Sequence, residues 1–160
     1  MQRFGQTLRS LKPVMTLPRL MSAGILVLAT LYASHPALAQ FKQQGAKLVG
    51  TGAVGNAALG ISVALAADDA TALVGGSNDN GGVGAAWVFI RSGGVWVQQG
   101  GKLVGNSAVG NSHQEWSVAL SSDGNTALIG APGDNGSAGA AWVFIRSGGV
   151  WSQQTKLLGT

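Results

Sequence analysis

The sequence predicts an all-β protein built from repeated four-stranded antiparallel sheets. The segment GAAWVFIRSGGVW stands at residues 84–96 and again at residues 139–151, 55 positions later. Short segments rich in valine, leucine and isoleucine flank both copies, and glycine-rich turn signals separate them. A fixed period of about 50 residues with many short strands is typical of stacked or radial β repeats.

Four β-like segments are predicted in each repeat, because apolar and β-branched runs alternate with turn signals. In the first repeat they span residues 61–66, 71–75, 85–91 and 95–104. In the second repeat they span residues 116–121, 126–131, 140–146 and 150–158. Asp123-Gly124 is a strong hairpin signal, and the Ser-Gly-Gly sequences at 92–94 and 147–149 favour tight turns, since glycine accepts positive φ.

The third segment of each repeat indicates how the sheets pack. Ala86, Val88 and Ile90 alternate with Trp87 and Phe89, so both faces are apolar and both should be covered. The fourth segment is more polar and suits an exposed outer strand. Such a meander, with its middle buried on both faces, predicts a β-propeller blade.

The predicted chain is therefore two blades and one orphan outer strand of an incomplete ring. Residues 41–50 match the fourth segment, so residues 40–60 are assigned to the outer strand of a preceding blade and a linker. Residues 61–105 form the first blade, and residues 106–160 form a linker and the second blade. Two blades leave bare apolar faces, of the Val88/Ile90 or the Trp87/Phe89 type. Three outcomes are expected: the chain is a fragment of a longer propeller, it closes a ring as a homo-oligomer, or it stays open and aggregates. In the homo-oligomer, residues 41–50 would complete the last blade of a neighbouring chain as a strand swap.

Residues 1–39 have the three parts of a secretory signal peptide. Basic residues precede a short apolar stretch, and Ala37-Leu38-Ala39 matches a cleavage site. We predict cleavage after Ala39 and a secreted, periplasmic or cell-surface location. The alternative is an uncleaved N-terminal anchor, although the apolar stretch is short for a membrane span. After cleavage, no membrane span is predicted.

The charge balance of the remaining chain argues against nucleic-acid binding. The net charge is +4, but four of the ten basic residues lie in the leader. Six basic and six acidic residues are left, so the mature chain is neutral. It has little electrostatic protection against self-association. The chain has no cysteine, so packing alone must hold an exported domain together.

Part of the second repeat resembles a known family. Residues 117–120 read Ser-Val-Ala-Leu, and residues 123–132 read Asp-Gly-Asn-Thr-Ala-Leu-Ile-Gly-Ala-Pro. This pattern resembles the FG-GAP repeat of integrin α-chain propellers, and more closely the short bacterial variant found in tandem in exported proteins. The Phe-Gly pair of the family is replaced by Leu59-Gly60 and by Gln114-Glu115. The resemblance implies a bacterial β-propeller.

The acidic residues do not predict a metal site. Integrin-type repeats carry a calcium loop between their first two strands, but this chain has only Asp68-Asp69 and Asp123 there. Calcium takes six to eight oxygen ligands, so we expect hairpin turns and no metal or other cofactor. Asp79 and Asp134 supply one carboxylate per repeat in a longer loop, which we expect to be a solvated turn.

No catalytic set is visible, and the protein is not predicted to be an enzyme. His113 is the only histidine of the mature chain and lies near Glu115. The first repeat has Ala58 and Gly60 at these positions, so a shared site would lack its base. We expect His113 to be a surface residue.

Tryptophans are the better functional candidates. Trp87 and Trp142 are expected to pack within the sheets. Trp96 and Trp151 begin the outer strands, and Trp116 begins an inner strand. Aromatic faces at a propeller rim can stack on sugars, whereas packing between blades is the alternative. The predicted function is non-enzymatic adhesion or recognition of an unidentified protein or glycan; the alternative is a lectin-like module whose ring is completed by several chains.

Overall fold

The structure is a computed structural model that describes residues 42–159. The predicted leader and its cleavage site lie outside the described residues. Eight strands form two separate four-stranded antiparallel sheets, so the prediction of an all-β protein is confirmed. None of the helices within residues 42–159 has the length and apolar character needed to cross a membrane.

Both sheets are meanders in which strand order follows chain order. The first sheet contains β1 Ser62–Leu65, β2 Thr71–Gly76, β3 Ala85–Ser92 and β4 Val95–Gln98. The second contains β5 Ser117–Leu120, β6 Thr126–Ala131, β7 Ala140–Ser147 and β8 Val150–Leu158. Two short helical turns, Asp79–Gly82 and Asp134–Ser137, connect the second and third strands of each sheet. All eight predicted segments therefore contain a strand.

The two sheets share one register. Val74 pairs with Trp87 in the first sheet, and Ile129 pairs with Trp142 in the second, 55 positions later in both partners. An identical core sequence thus produces an identical pairing, because alternating side chains fix which residues face each side of a sheet.

The fourth strands differ between the repeats. The predicted segment 95–104 is wrong beyond Gln98, where β4 ends, although Leu103 still forms an isolated bridge with Ala86. Gly100 has a φ of 71°, which interrupts the extended backbone. In the second repeat Thr155 takes the place of the Gly-Gly pair, and β8 continues to Leu158 with an irregularity opposite Val143 and Phe144.

A segment before each sheet lies across one face of that sheet. We call residues 44–60 the first strap and residues 99–115 the second strap. Residues 42–50 form no strand in the described chain; their assignment to the outer strand of a preceding blade stays a prediction, because no such blade lies within residues 42–159. The first strap instead contacts the first sheet: Trp87 Nε1 donates to the Thr51 carbonyl at 2.8 Å, and Arg91 donates to Gln44 at 3.1 Å.

The main core lies between the two sheets. Leu73 and Val88 of the first sheet pack with Ile129, Trp142 and Phe144 of the second. A second core covers the other face of the first sheet, where buried Trp87 and Phe89 pack with the first strap. The expected bare Trp87/Phe89 face is therefore bare only at its β1 edge, where Val63 and Leu65 are exposed, since the first strap covers the two rings.

The outer face of the second sheet has no such cover within residues 42–159. Leu128 is 41% exposed, whereas its equivalent Leu73 is fully buried. Ile145 is also exposed, and Val143 is half-buried. This is the Val88/Ile90 type of bare face expected from the sequence.

Candidate functional site

A cleft of about 630 Å³ opens between the first strap and β4. We call it the Trp96 cleft. Its walls combine apolar side chains with amide and hydroxyl groups. They include Gln44, Leu48, Thr51, Phe89, Trp96 and Gln98.

Strand pairing positions the aromatic ring of this cleft. Arg91 of β3 pairs with Trp96 of β4, and the guanidinium lies 5.6 Å from the indole centroid. Because Arg91 also donates to Gln44, the strap and the ring are held by one cation. A cation at this distance is attracted to the indole face and restricts the ring. The half-buried Trp96 is thus a pre-oriented aromatic surface.

Hydrogen bonds fix the polar wall of the cleft. Gln98 Oε1 accepts from the Thr51 backbone N–H at 2.7 Å, and Gln98 Nε2 donates to the Gly100 carbonyl at 2.8 Å. The amide is therefore held in one orientation. Lys47 also lines this cleft and is exposed. An aromatic ring beside fixed amides and a cation suits a polar ligand that has an apolar face, such as a sugar.

Trp151 occupies the equivalent place in the second repeat, but its surroundings are tighter. Arg146 lies 5.4 Å from its ring centroid, and its Nε1 donates to Gln99 at 3.2 Å. The neighbouring cleft is only about 220 Å³. The ring packs against the main core as Trp96 packs against the second core, so the smaller cleft and the bond to Gln99 are what favour the packing interpretation for Trp151.

Trp116 lies apart from the other two candidates. It is 58% exposed and makes an edge-on contact with His113, with ring centroids 6.4 Å apart. It precedes β5, whereas Trp151 lies in β8, at the opposite edge of the second sheet. The structure therefore does not bring the three predicted tryptophans into one site.

The loops at Asp79 and Asp134 are not solvated turns, so that prediction is wrong. Both carboxylates are fully buried. Asp79 accepts from the Val54 backbone N–H at 2.7 Å and pairs with Lys102. Each repeat uses one carboxylate to attach a strap to the loop of the following sheet.

The second repeat has the same arrangement. Asp134 accepts from the Val109 N–H at 2.8 Å and lies 2.7 Å from the Lys156 ammonium. Burial opposes ionisation of Asp134, but the hydrogen bonds from Lys156 and Val109 outweigh it and hold its pKa below the usual value. The Lys156 ammonium also lies 4.9 Å from the Trp142 centroid. The role of these carboxylates is structural.

Glu115, which the sequence places beside His113, is a buried acid, and its burial was not expected. Its side chain is fully buried, and neither carboxyl oxygen has a hydrogen-bond partner among residues 42–159. Burial and the charge of Asp79 raise its pKa, Lys102 partly opposes both, and the net pKa is about 9. Glu115 is therefore a neutral carboxylic acid at pH 7.

The neighbouring histidine is partly covered, so the expectation of a plain surface residue is wrong. His113 is half-buried, and its Nδ1 has no hydrogen-bond partner in the described chain. Alignment of the two repeats could have signalled this region, because residues 112–116 differ from residues 57–61 at all five positions, whereas Ser-Val-Ala-Leu follows both segments. Within residues 42–159, no cluster of three or more His, Cys, Asp or Glu side chains could hold a metal ion.

Comparison with protein-family models and with curated proteins found no match. The site is therefore interpreted from its own geometry.

Proposed function

We propose that this chain is an exported, non-enzymatic β-propeller repeat protein of FG-GAP type, used for adhesion or recognition outside the cell. The observation that carries the proposal is the packing of two four-stranded meanders of identical register face to face. Radial repetition of such sheets is the architecture of a propeller, and it leaves short loops at the rim for recognition. The leader-like residues 1–39 support export.

The Trp96 cleft favours a second candidate function, a lectin-like module that binds a carbohydrate. A sugar presents an apolar face to an aromatic ring and hydroxyl groups to amides. Trp96, Gln44 and Gln98 offer both kinds of surface within one cleft. In this candidate the propeller ring is completed by further copies of the chain.

One binding experiment separates these functions. The purified protein is applied to a glycan array and to a panel of extracellular proteins, with the variants Trp96→Ala and Trp116→Ala alongside. Glycan binding that Trp96→Ala abolishes and Trp116→Ala retains would establish the lectin-like function. Protein binding without glycan binding would support adhesion. Turnover of ester or glycoside probes would contradict the non-enzymatic assignment.

A further inference from the structure

The contact between the two sheets shows what the outer face of the second sheet is built to bind. Leu73 and Val88 of the first sheet, with Leu103 bridged to its edge, are buried against the second sheet. The second sheet carries the same kinds of side chain on its outer face, and no part of residues 42–159 covers them. Identical surfaces should bind the same complementary surface, because the side chains and the strand register are the same.

The acceptor face consists of Leu128, Ile145 and Leu157. Leu128 corresponds to Leu73, and Leu157 corresponds to Leu103 once the single-residue deletion is counted. Leu157 is 47% exposed, whereas Leu103 is buried. Leu128 and Leu157 are thus exposed, although their equivalents Leu73 and Leu103 lie in the main core, and Ile145 is exposed where Ile90 is half-buried.

The donor face lies at the other end, on β1 of the first sheet. Val63 is 69% exposed and Leu65 is also exposed. Their equivalents Val118 and Leu120 are half-buried and pack against the main core. In register, Val63 and Leu65 lie on the Trp87 and Phe89 side of the sheet, as Val118 and Leu120 lie on the Trp142 and Phe144 side.

Backbone hydrogen bonds across the internal contact have equivalents in both free surfaces. The second strap donates from His113 N to the Gly82 carbonyl at 2.9 Å, and from Gln114 N to the Val83 carbonyl at 3.1 Å. Shifted by one repeat, these donors become the N–H groups of Leu59 and of Ala58, the latter in a long 3.4 Å bond to Asn56 Oδ1, and the acceptors become the carbonyls of residues 137 and 138. Backbone groups do not depend on side-chain identity, so this part of the contact can be repeated between chains.

We propose that the outer face of the second sheet binds the first sheet and first strap of a second copy of this chain, head to tail. The two bare surfaces are complementary because they are the two halves of a contact that the chain already makes with itself. Such a heterologous contact closes a ring if the rotation per copy allows it. With about four to eight sheets in a propeller, about two to four copies would complete the ring.

The new junction differs from the internal one at three buried positions, where Ala57, Leu59 and Gly60 stand in place of Ser112, Gln114 and Glu115. Glu115 lies at the internal contact, where Ser62 Oγ donates to the Glu115 carbonyl at 2.6 Å. Between copies, Gly60 takes the place of Glu115 and brings no carboxyl group into the contact.

The inference rests on the proposed propeller architecture but not on its ligand. A chain that binds a glycan or protein as a monomer would overturn the inference and leave the proposed function intact. A chain that assembles head to tail but binds neither a glycan nor a protein would support the inference and overturn the proposed function.

The test uses two variants that each block one face. Leu128→Glu places a charge on the acceptor face, and Val63→Glu places one on the donor face. Both positions are exposed, so the fold should tolerate the change, and circular dichroism melts verify this. Leu157→Glu is a second acceptor variant should Leu128→Glu misfold. Val109→Glu is the matched control, since Val109 is similarly exposed but lies on a strap.

Light scattering on the purified protein at tens of micromolar gives the readout. We expect oligomers for the unmodified protein and for Val109→Glu, and a monomer for each face variant alone. An equal mixture of Leu128→Glu and Val63→Glu should form a dimer, because one intact face of each kind remains. A monomeric unmodified protein would overturn the proposal. So would a face variant that still assembles alone, because a head-to-tail contact needs both faces.

Discussion

Replacing Glu115 with glutamine should remove most of the pH dependence of folding stability above pH 5. The carboxyl group is buried without a hydrogen-bond partner among residues 42–159, and its pKa in the folded protein is about 9. In the unfolded chain the pKa returns to its ordinary value of 4.5. Between these values the folded protein carries one proton that the unfolded chain lacks.

The sign and size of the effect follow from proton linkage. Stability changes with pH in proportion to the protons bound by the unfolded state minus those bound by the folded state. This difference is negative between the two pKa values, so the free energy of unfolding falls as pH rises. The slope is at most about 1.4 kcal/mol per pH unit, and it vanishes below the unfolded pKa and above the folded one. The pH dependence arises mainly from the burial of the Glu115 carboxyl group, because burial penalises its charged form.

Urea denaturation at a series of pH values from about 5 to about 8 measures this slope. Glu115→Gln keeps the shape of the side chain but does not titrate, so its stability should be nearly flat. Near pH 5 the free energy of unfolding of the variant should be lower than that of the original protein by about 1 kcal/mol, because the buried amide is unsatisfied. Near pH 8 the variant should be the more stable of the two. Asp123→Asn, in an exposed turn, is the control and should retain the slope. Parallel profiles for Glu115→Gln and the original protein would refute this reasoning.

Two further predictions concern the straps and the turns. A Cβ at Gly105 would lie 2.6 Å from the Trp142 ring, so Gly105→Ala should lower the free energy of unfolding by about 1–3 kcal/mol. A Cβ at Gly101 meets nothing within 4 Å, so Gly101→Ala should change stability by less than about 0.5 kcal/mol; equal effects in urea titrations would contradict the close contact. Thermal melts in millimolar calcium and in chelator should coincide, because the turns at Asp68 and Asp123 offer too few carboxylates. A shift of several degrees would reveal a metal site.

The strands could be predicted from the sequence because their determinants are local. Alternation of apolar residues in residues 85–91 fixes two faces, and glycine-rich turns fix where the chain reverses. The bounds of β6 and β8 were predicted to the residue. The end of β4 was not, because Gly100 and Gly101 interrupt a run that otherwise reads as strand.

The straps could not be predicted because distant contacts determine their path. Residues 42–50 have the sequence of an outer strand, but the described chain offers no free β3-type edge for them. They follow the surface that the Trp87 ring and the Arg91 guanidinium provide. Gly50 is needed there, since a Cβ would lie 2.5 Å from the indole. The same sequence is thus a strand or a strap, depending on what precedes it.

The buried aspartates were missed for a related reason. A carboxylate in Asn-Asp-Asn-Gly has the local chemistry of a solvated turn, and Asn80 and Gly81 do adopt left-handed conformations, with φ of 50° and 67°. Burial comes from Lys102 and from the strap, both more than 20 positions away in the chain. The clue lies in the repeat, because each loop aspartate has a lysine at nearly the same spacing.

The two identical segments lie in different surroundings, so they show which structural properties depend on the local sequence and which depend on neighbouring elements. Residues 84–96 and 139–151 are the same, yet Val88 is fully buried and Val143 is half-buried. Both copies pair in the same register, so local sequence suffices for the strands. Burial on both faces requires a sheet on one side and a strap on the other, and only the first copy has both within residues 42–159. The difference in burial therefore comes from what covers each sheet and not from the sequence of the segment. In the head-to-tail assembly proposed above, a second copy would cover the outer face of the second sheet.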